Sequence, residues 1–334
     1  MSSRRQAQVT RLAFHAVILS LCLNLWQSTR LAAETVRVGF PSLATALSPT
    51  WVTAKKGFWK KNGLDVELIY LSGAITIPSL LAGSVQVVVG SDTEAAIAMV
   101  KGSDIVRVGV TTNSLGSSLV TQQSVSSFSQ LKGKAIGIGS RGFSSLELRL
   151  SQLLLENGID PEHDVKFLPL GGGPPARVAA LEKGVIVAAM ITPPYDFVAA
   201  RAGLKIFAKV DAPLIAGGIN VMKPYLEKNR DALVRFLKGY SEGIQFMLSH
   251  RAETIQIFSN YLNNHDKDIL GRFYDEIAGR VVKDLRPNPR SVRFLLDFVG
   301  RLYPKAKSIS ETAYTDLSLL DEVQRSGLSE RSTK

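Results

Sequence analysis

The chain has 334 residues, 45% of them hydrophobic and 21% charged, with a formal net charge of +11. That length and apolar content support one large or two mid-sized globular domains and exclude a disordered or fibrous chain. The basic surplus is scattered among acids, as at Lys55-Lys56, Lys60-Lys61 and Arg286 to Arg293, and no reading motif accompanies it, so no nucleic-acid partner is expected.

The first 33 residues differ from the rest. Arg4, Arg5 and Arg11 make a basic start without acids, Leu12 to Trp26 is almost wholly apolar, and Leu31-Ala32-Ala33 precedes Glu34. This order predicts a secretory signal peptide over 1–33 and a periplasmic location; an uncleaved anchor is the competing reading. Without that segment 36 basic and 29 acidic residues remain, a net +7. The single cysteine, Cys22, lies in it. The bulky Leu21 before Cys22 makes lipid anchoring unexpected, and the exported chain would hold no disulfide or thiol nucleophile. No further apolar run is long enough to span a membrane.

From Thr35 the pattern alternates. Strands are predicted over 35–40, 64–71, 85–89 and 105–110, and helices over 48–61, 77–82 and 92–101, the first ended by Asn62-Gly63. After a polar stretch, 111–129, the pattern restarts. Strands are predicted over 134–138, 164–170, 185–191 and 204–209, and helices over 144–157, 176–183 and 195–202. Strand–helix alternation of this kind predicts two α/β lobes with mostly parallel sheets. From Pro224 the chain reads as helical, over 225–249, 252–261, 267–278, 289–303 and 310–324, before a polar tail at 326–334.

Three loops precede helices: Gly90 to Thr93, Ser140 to Ser144 and Gly171 to Gly173. A helix start offers unsatisfied N–H groups and the positive end of the helix dipole, which attract an anion or a polar oxygen. Arg141 is the cation within these loops, and its fork suits an oxyanion. The plainer readings are an N-cap for Ser91 or Asp92, a helix opener for Gly-Pro-Pro, and a surface position for Arg141. Gly137 to Gly142 fits G-x-G-x-x-G, but the next strand ends Phe167-Leu168-Pro169-Leu170-Gly171 without the acid a dinucleotide needs, so no nucleotide cofactor is expected. The histidines, His15, His163, His250 and His265, show no metal spacing, and no pair reads as nucleophile and base. No catalytic residue, metal or cofactor is assigned.

Three segments together resemble one family. Ala54-Lys55-Lys56-Gly57-Phe58-Trp59 followed by Gly63-Leu64-Asp65-Val66-Glu67 is similar to its opening. Phe128-Ser129-Gln130-Leu131-Lys132-Gly133-Lys134 is similar to its entry into the second lobe, and Arg230 to Tyr240 to its C-terminal helix. The family is that of nitrate/sulfonate/taurine-type periplasmic solute-binding proteins, which includes binders of thiamine-related pyrimidines. The resemblance implies a two-lobed, type II-like binding-protein fold: lobe 1 from 34–113 and 214–325, lobe 2 from 114–213. Hinge crossovers fall near 111–117 and 211–218. It implies capture of a small solute, without turnover, in the cleft between the lobes. The partners implied are an ABC permease and, through it, an ATPase; contact with the membrane is through the permease alone, and the chain is a monomer. The cleft residues expected are Ser42, Trp51, Ser91, Asp92, Thr93, Asn113, Arg141, Phe143, Ser144, Gly172, Pro193 and Tyr195. A small sulfonate, nitrate or carboxylate is the expected ligand, and a heteroaromatic stacked on Trp51 or Tyr195 the alternative. A sensor ectodomain and an enzyme on the same fold are the other readings. The chain departs from the family at Gln86 and Ile186, where an Asp is common.

Overall fold

The computed structural model describes residues 34–41, 47–71, 73–139, 145–212 and 215–328. The predicted signal segment, Ser42, Arg141, Phe143, Ser144 and most of the polar tail lie outside the described residues.

The chain opens with β1 (Glu34–Phe40), in which Val36 and Val38 are fully buried. The helix expected over 48–61 is two helices, α1 (Ser48–Lys55) and α2 (Phe58–Lys61), because Gly57 adopts a left-handed φ of 70° between them. There follow β2 (Leu64–Tyr70), α3 (Gly73–Leu81), β3 (Val87–Val89), α4 (Asp92–Val100) and β4 (Ile105–Val110). The second half holds β5 (Leu115–Thr121), β6 (Ala135–Ile138), α5 (Ser145–Glu156), β7 (Lys166–Pro169), α6 (Gly173–Glu182), β8 (Ala188–Ile191), α7 (Tyr195–Arg201) and β9 (Lys205–Ala212). The chain then returns through β10 (Gly218–Met222). It ends in α8 (Lys223–Lys228), α9 (Arg230–Ser249), α10 (Arg251–Leu262), α11 (Lys267–Ala278), α12 (Pro289–Val299) and α13 (Ser318–Val323). The helix expected over 225–249 is divided at Asn229, and that over 310–324 is reduced to α13 and the turn after it.

The strands form two five-stranded sheets, β2-β1-β3-β10-β4 and β7-β6-β8-β5-β9. In the first, β1 and β3 run parallel, and β10 is antiparallel to both β3 and β4. In the second, β6 runs parallel to β7 and β8, while β5 is antiparallel to β8 and β9. Both sheets are thus mixed but parallel-rich, each with a single strand antiparallel to its neighbours. The antiparallel members, β5 and β10, are the strands that enter each sheet from the other.

Each sheet has its own apolar core. The larger one joins β1, β3 and β10 to α1, α9, α10 and α11. There α9 lies close on α1 and α2 because Gly239 and Gly243 lack side chains: a Cβ on Gly243 would fall 2.0 Å from Thr53 Oγ1, and one on Gly239 2.5 Å from Trp59. The Trp59 indole N–H donates to the Phe236 carbonyl at 3.1 Å, which satisfies its polar edge inside the core.

Candidate ligand-binding cleft

The topology sets the two sheets edge to edge. Parallel strands β1, β3 and β4 end at Phe40, Val89 and Val110, and β10 begins at the same edge, with Gly218 opposite Val110. In the second sheet β6, β7 and β8 end at Ile138, Pro169 and Ile191, and β5 begins there with Ser118 opposite Ile191. The two links between the sheets, after Val110 and after Ala212, therefore join one carboxyl edge to the other. They also bond to each other: the Thr111 N–H donates to the Gly217 carbonyl and the Ala216 N–H to the Thr112 carbonyl. In such sheets ligands bind beyond the carboxyl ends of the strands.

On the lobe-1 side, Gly90 and Ser91 turn the chain from β3 into α4, with Ser91 in a left-handed conformation. The Ser91 and Thr93 hydroxyls are buried and have no hydrogen-bond partner among the described residues. Asp92 is used differently from expectation. Its carboxylate pairs with Arg107 at 3.4 Å and accepts from the Gly218 N–H at 3.1 Å, and both side chains are buried. Burial pushes the Asp92 carboxyl up and the Arg107 guanidinium down, each against the attraction of its partner. Asp92 therefore braces the floor of this edge. Asn113 is likewise committed in part: its Oδ1 accepts from the Asn288 N–H at 3.1 Å and holds the start of α12 to the crossover.

Trp51 is corrected outright. It is 1% exposed, stacks on Tyr261 at 5.4 Å and meets Phe258 edge-on at 6.1 Å inside the lobe-1 core. Its position near the start of α1 suggested a cleft wall, but its rotation about the helix faces it inward.

On the lobe-2 side, Pro193 and Pro194 are joined by a cis peptide bond ahead of α7. Tyr195 is half-buried and touches the cores of both lobes, as a residue between them must. Beside it, the Ser118 hydroxyl donates to Asp196 Oδ2 at 2.7 Å and ties β5 to the first turn of α7. Gly172 caps α6 in a left-handed conformation, as the loop requires. The start of α6 offers fewer donors than expected, however, because Pro174 and Pro175 carry no N–H.

Sequence reasoning missed three groups at this edge. The Thr192 hydroxyl, one residue past β8, is buried without a partner among the described residues. Arg149 is buried on α5 and donates to the Val210 carbonyl at 2.7 Å. Arg177, in the second turn of α6, is 3% exposed, and burial alone pushes its guanidinium down to about 10. A shallow depression bounded by Lys55, Ile257, Asn260 and Tyr261 lies at the far end of α1, away from this edge.

This edge-to-edge pair of sheets defines the class: the two-lobed α/β fold of periplasmic solute-binding proteins. The chain belongs to the NMT1/THI5 like family, whose sequence profile matches residues 44–254. YtlA of Bacillus subtilis, provisionally named a binding protein, is 26% identical over 234 residues, covering 67% of this chain and 69% of its own. The fold is similar to that of the periplasmic aliphatic sulphonate binding protein SsuA from Escherichia coli, with a TM-score of 0.65, 18% identity and coverage of 81% and 92% of the two chains. The periplasmic nitrate-binding protein NrtA from Synechocystis has a TM-score of 0.70, 15% identity and 89% coverage of each chain.

Proposed function

We propose that this protein is the extracytoplasmic solute-binding component of an ABC importer, and that its cleft captures a small oxyanion and releases it unchanged to a permease. The observation that carries the reading is the set of buried hydroxyls without a partner among the described residues, Ser91, Thr93 and Thr192, placed on facing carboxyl edges beside a helix start. A buried polar group without a partner costs about 1–3 kcal/mol, so such groups are retained where a ligand or ordered water completes them. The basic, apolar and small-residue order of 1–33 supports export to the periplasm. Burial of Trp51 removes one of the two rings on which a heteroaromatic was expected to stack, which favours the anion. Asp92 and Asp196 on these edges are engaged with Arg107 and Ser118, which supports binding without turnover.

Calorimetric titration of the exported protein against nitrate, small sulfonates, carboxylates and an uncharged aminopyrimidine tests this. An anion is expected to bind and to be recovered intact after long incubation. Preference for the pyrimidine over every anion tried, or steady multiple-turnover product formation, would overturn the proposal.

A further inference from the structure

We infer that Arg177 is the charge-bearing anchor of this cleft, forming with Thr192 a lobe-2 seat for a small monoanion with a carboxylate or sulfonate headgroup. The inference rests on the oxyanion reading above and deepens it. Among the described residues no carboxylate, carbonyl or hydroxyl accepts a hydrogen bond from Arg177, and its Nε is buried without a partner. A guanidinium carries five donors, and a buried one is ordinarily paired or hydrogen-bonded because an isolated charge in the interior is costly. Arg107 shows the ordinary pattern, with Asp92 beside it.

Placement directs the group to the cleft. Side chains on a helix lean toward its N-terminus, so Arg177 leans back along α6 toward Gly173, where the chain leaves the carboxyl edge. A Cβ on Gly139, the residue after β6, would lie 3.3 Å from Arg177 Nη1. The guanidinium therefore sits over the end of β6. Strands β6 and β8 are neighbours with Gly137 beside Ala189, so continuing the register sets Thr192 one residue beyond the partner of Gly139. The unpaired guanidinium and the unpaired hydroxyl thus stand at the ends of adjacent strands. Pro174 and Pro175 strip N–H donors from the start of α6, and the arginine one turn later supplies donors and charge in their place. One uncompensated positive charge is neutralised by one negative charge, so a monoanion suits the seat better than a dianion such as sulfate. The planar fork takes two oxygens of one headgroup.

The test uses the exported chain in a Tris chloride buffer, with acetate, methanesulfonate, nitrate and sulfate as probes, for the wild type, Arg177→Met and Arg177→Lys. The wild type is expected to bind at least one monoanion more tightly than sulfate. Arg177→Met should weaken that binding roughly tenfold to a hundredfold, and Arg177→Lys should retain part of it. Without added probe, Arg177→Met should melt at a higher temperature than the wild type, because it removes an unpaired buried charge. Equal affinity in the wild type and Arg177→Met would overturn the inference while leaving the oxyanion reading intact. A ligand-free Arg177→Met that melts lower would assign Arg177 a structural role and overturn it too. A wild type that binds none of these anions would overturn both readings.

Discussion

Asp92 and Arg107 illustrate how a charged pair can serve a cleft without touching its ligand. Both are buried, and Asp92 also accepts the N–H of Gly218, so the pair locks the start of α4 to β4 and to the returning strand β10. Removing one member strands the other charge, which costs about 3–5 kcal/mol. Arg107→Leu is therefore expected to lower unfolding stability by about that amount in urea titrations, whether or not an anion is present. Glu94, two residues along, gives a pH prediction. Burial, and next to it the charge of Asp92, raises its carboxyl from the usual 4.5 to about 7. The folded state then holds the proton more tightly than the unfolded one, so this contribution to stability is present below pH 4.5 and is lost as pH rises through 7. Glu94→Gln should flatten that loss, melting above the wild type at pH above 7 and near it at low pH. These residue roles were only partly legible in the sequence. Asp92 reads as a polar residue at a helix start, and its partner lies in a strand otherwise apolar in pattern. Arg177 sits in Pro-Pro-Ala-Arg-Val-Ala-Ala-Leu, where it reads as one turn of a surface helix. Sequence registers its charge but not that the fold buries it with no counter-ion among the described residues.

At the scale of elements, the two strands that make this a two-lobed protein were the two that sequence periodicity missed. β5 reads Leu-Gly-Ser-Ser-Leu-Val-Thr, whose small polar residues suggest a loop, yet Ser117 and Ser118 are buried at the crossover. β10 is short and begins on the second residue of a Gly-Gly pair that reads as a turn. Their strand character comes from pairing with distant partners, β8 and β9 for one and β3 and β4 for the other, and local pattern does not record that. The parallel strands and their helices were legible because each carries its apolar run locally. The small residues have a testable consequence. A Cβ on Gly218 would fall 1.9 Å from Asp92 Oδ1 and 2.9 Å from Arg107 Nε, so Gly218→Ala must displace the buried pair. The expected loss of stability is roughly 3 kcal/mol. Gly57, between α1 and α2, has φ 70° and nothing near its missing side chain, so Gly57→Ala should cost only the left-handed backbone penalty of about 1 kcal/mol. Denaturant midpoints of the two variants separate packing from backbone strain.

For the whole molecule, the contacts between the lobes are of a kind that can break and reform. Arg201 on α7 of lobe 2 pairs with Asp266 and with Asp268 at the start of α11, which belongs to the lobe-1 core. Arg272 on α11 lies 4.3 Å from the ring of Phe197 on α7, and Arg280 bonds Asp211 at 2.6 Å beside the crossover. On the other flank, Arg301 after α12 donates to Gln152 on α5 at 3.3 Å. These contacts are polar, and several are open to water. Each contributes about 0–1 kcal/mol, small against the two separate apolar cores that keep each lobe rigid. The chain links the lobes twice, after Val110 and after Ala212, so rotation of the lobes about one axis is the expected motion. A ligand that touches both edges then shifts the balance toward the closed form by its extra affinity for that form, and by no more. Small-angle scattering is expected to show a smaller radius of gyration with a bound anion than without. The double variant Arg201→Ala, Arg272→Ala should enlarge the radius of the ligand-free protein while leaving the melting temperature within a degree or two. It should also weaken anion binding, because part of the binding energy must now close the lobes without those contacts. A radius that does not change at saturation, or a double variant that binds as tightly as the wild type, would show that the cleft is formed without closure.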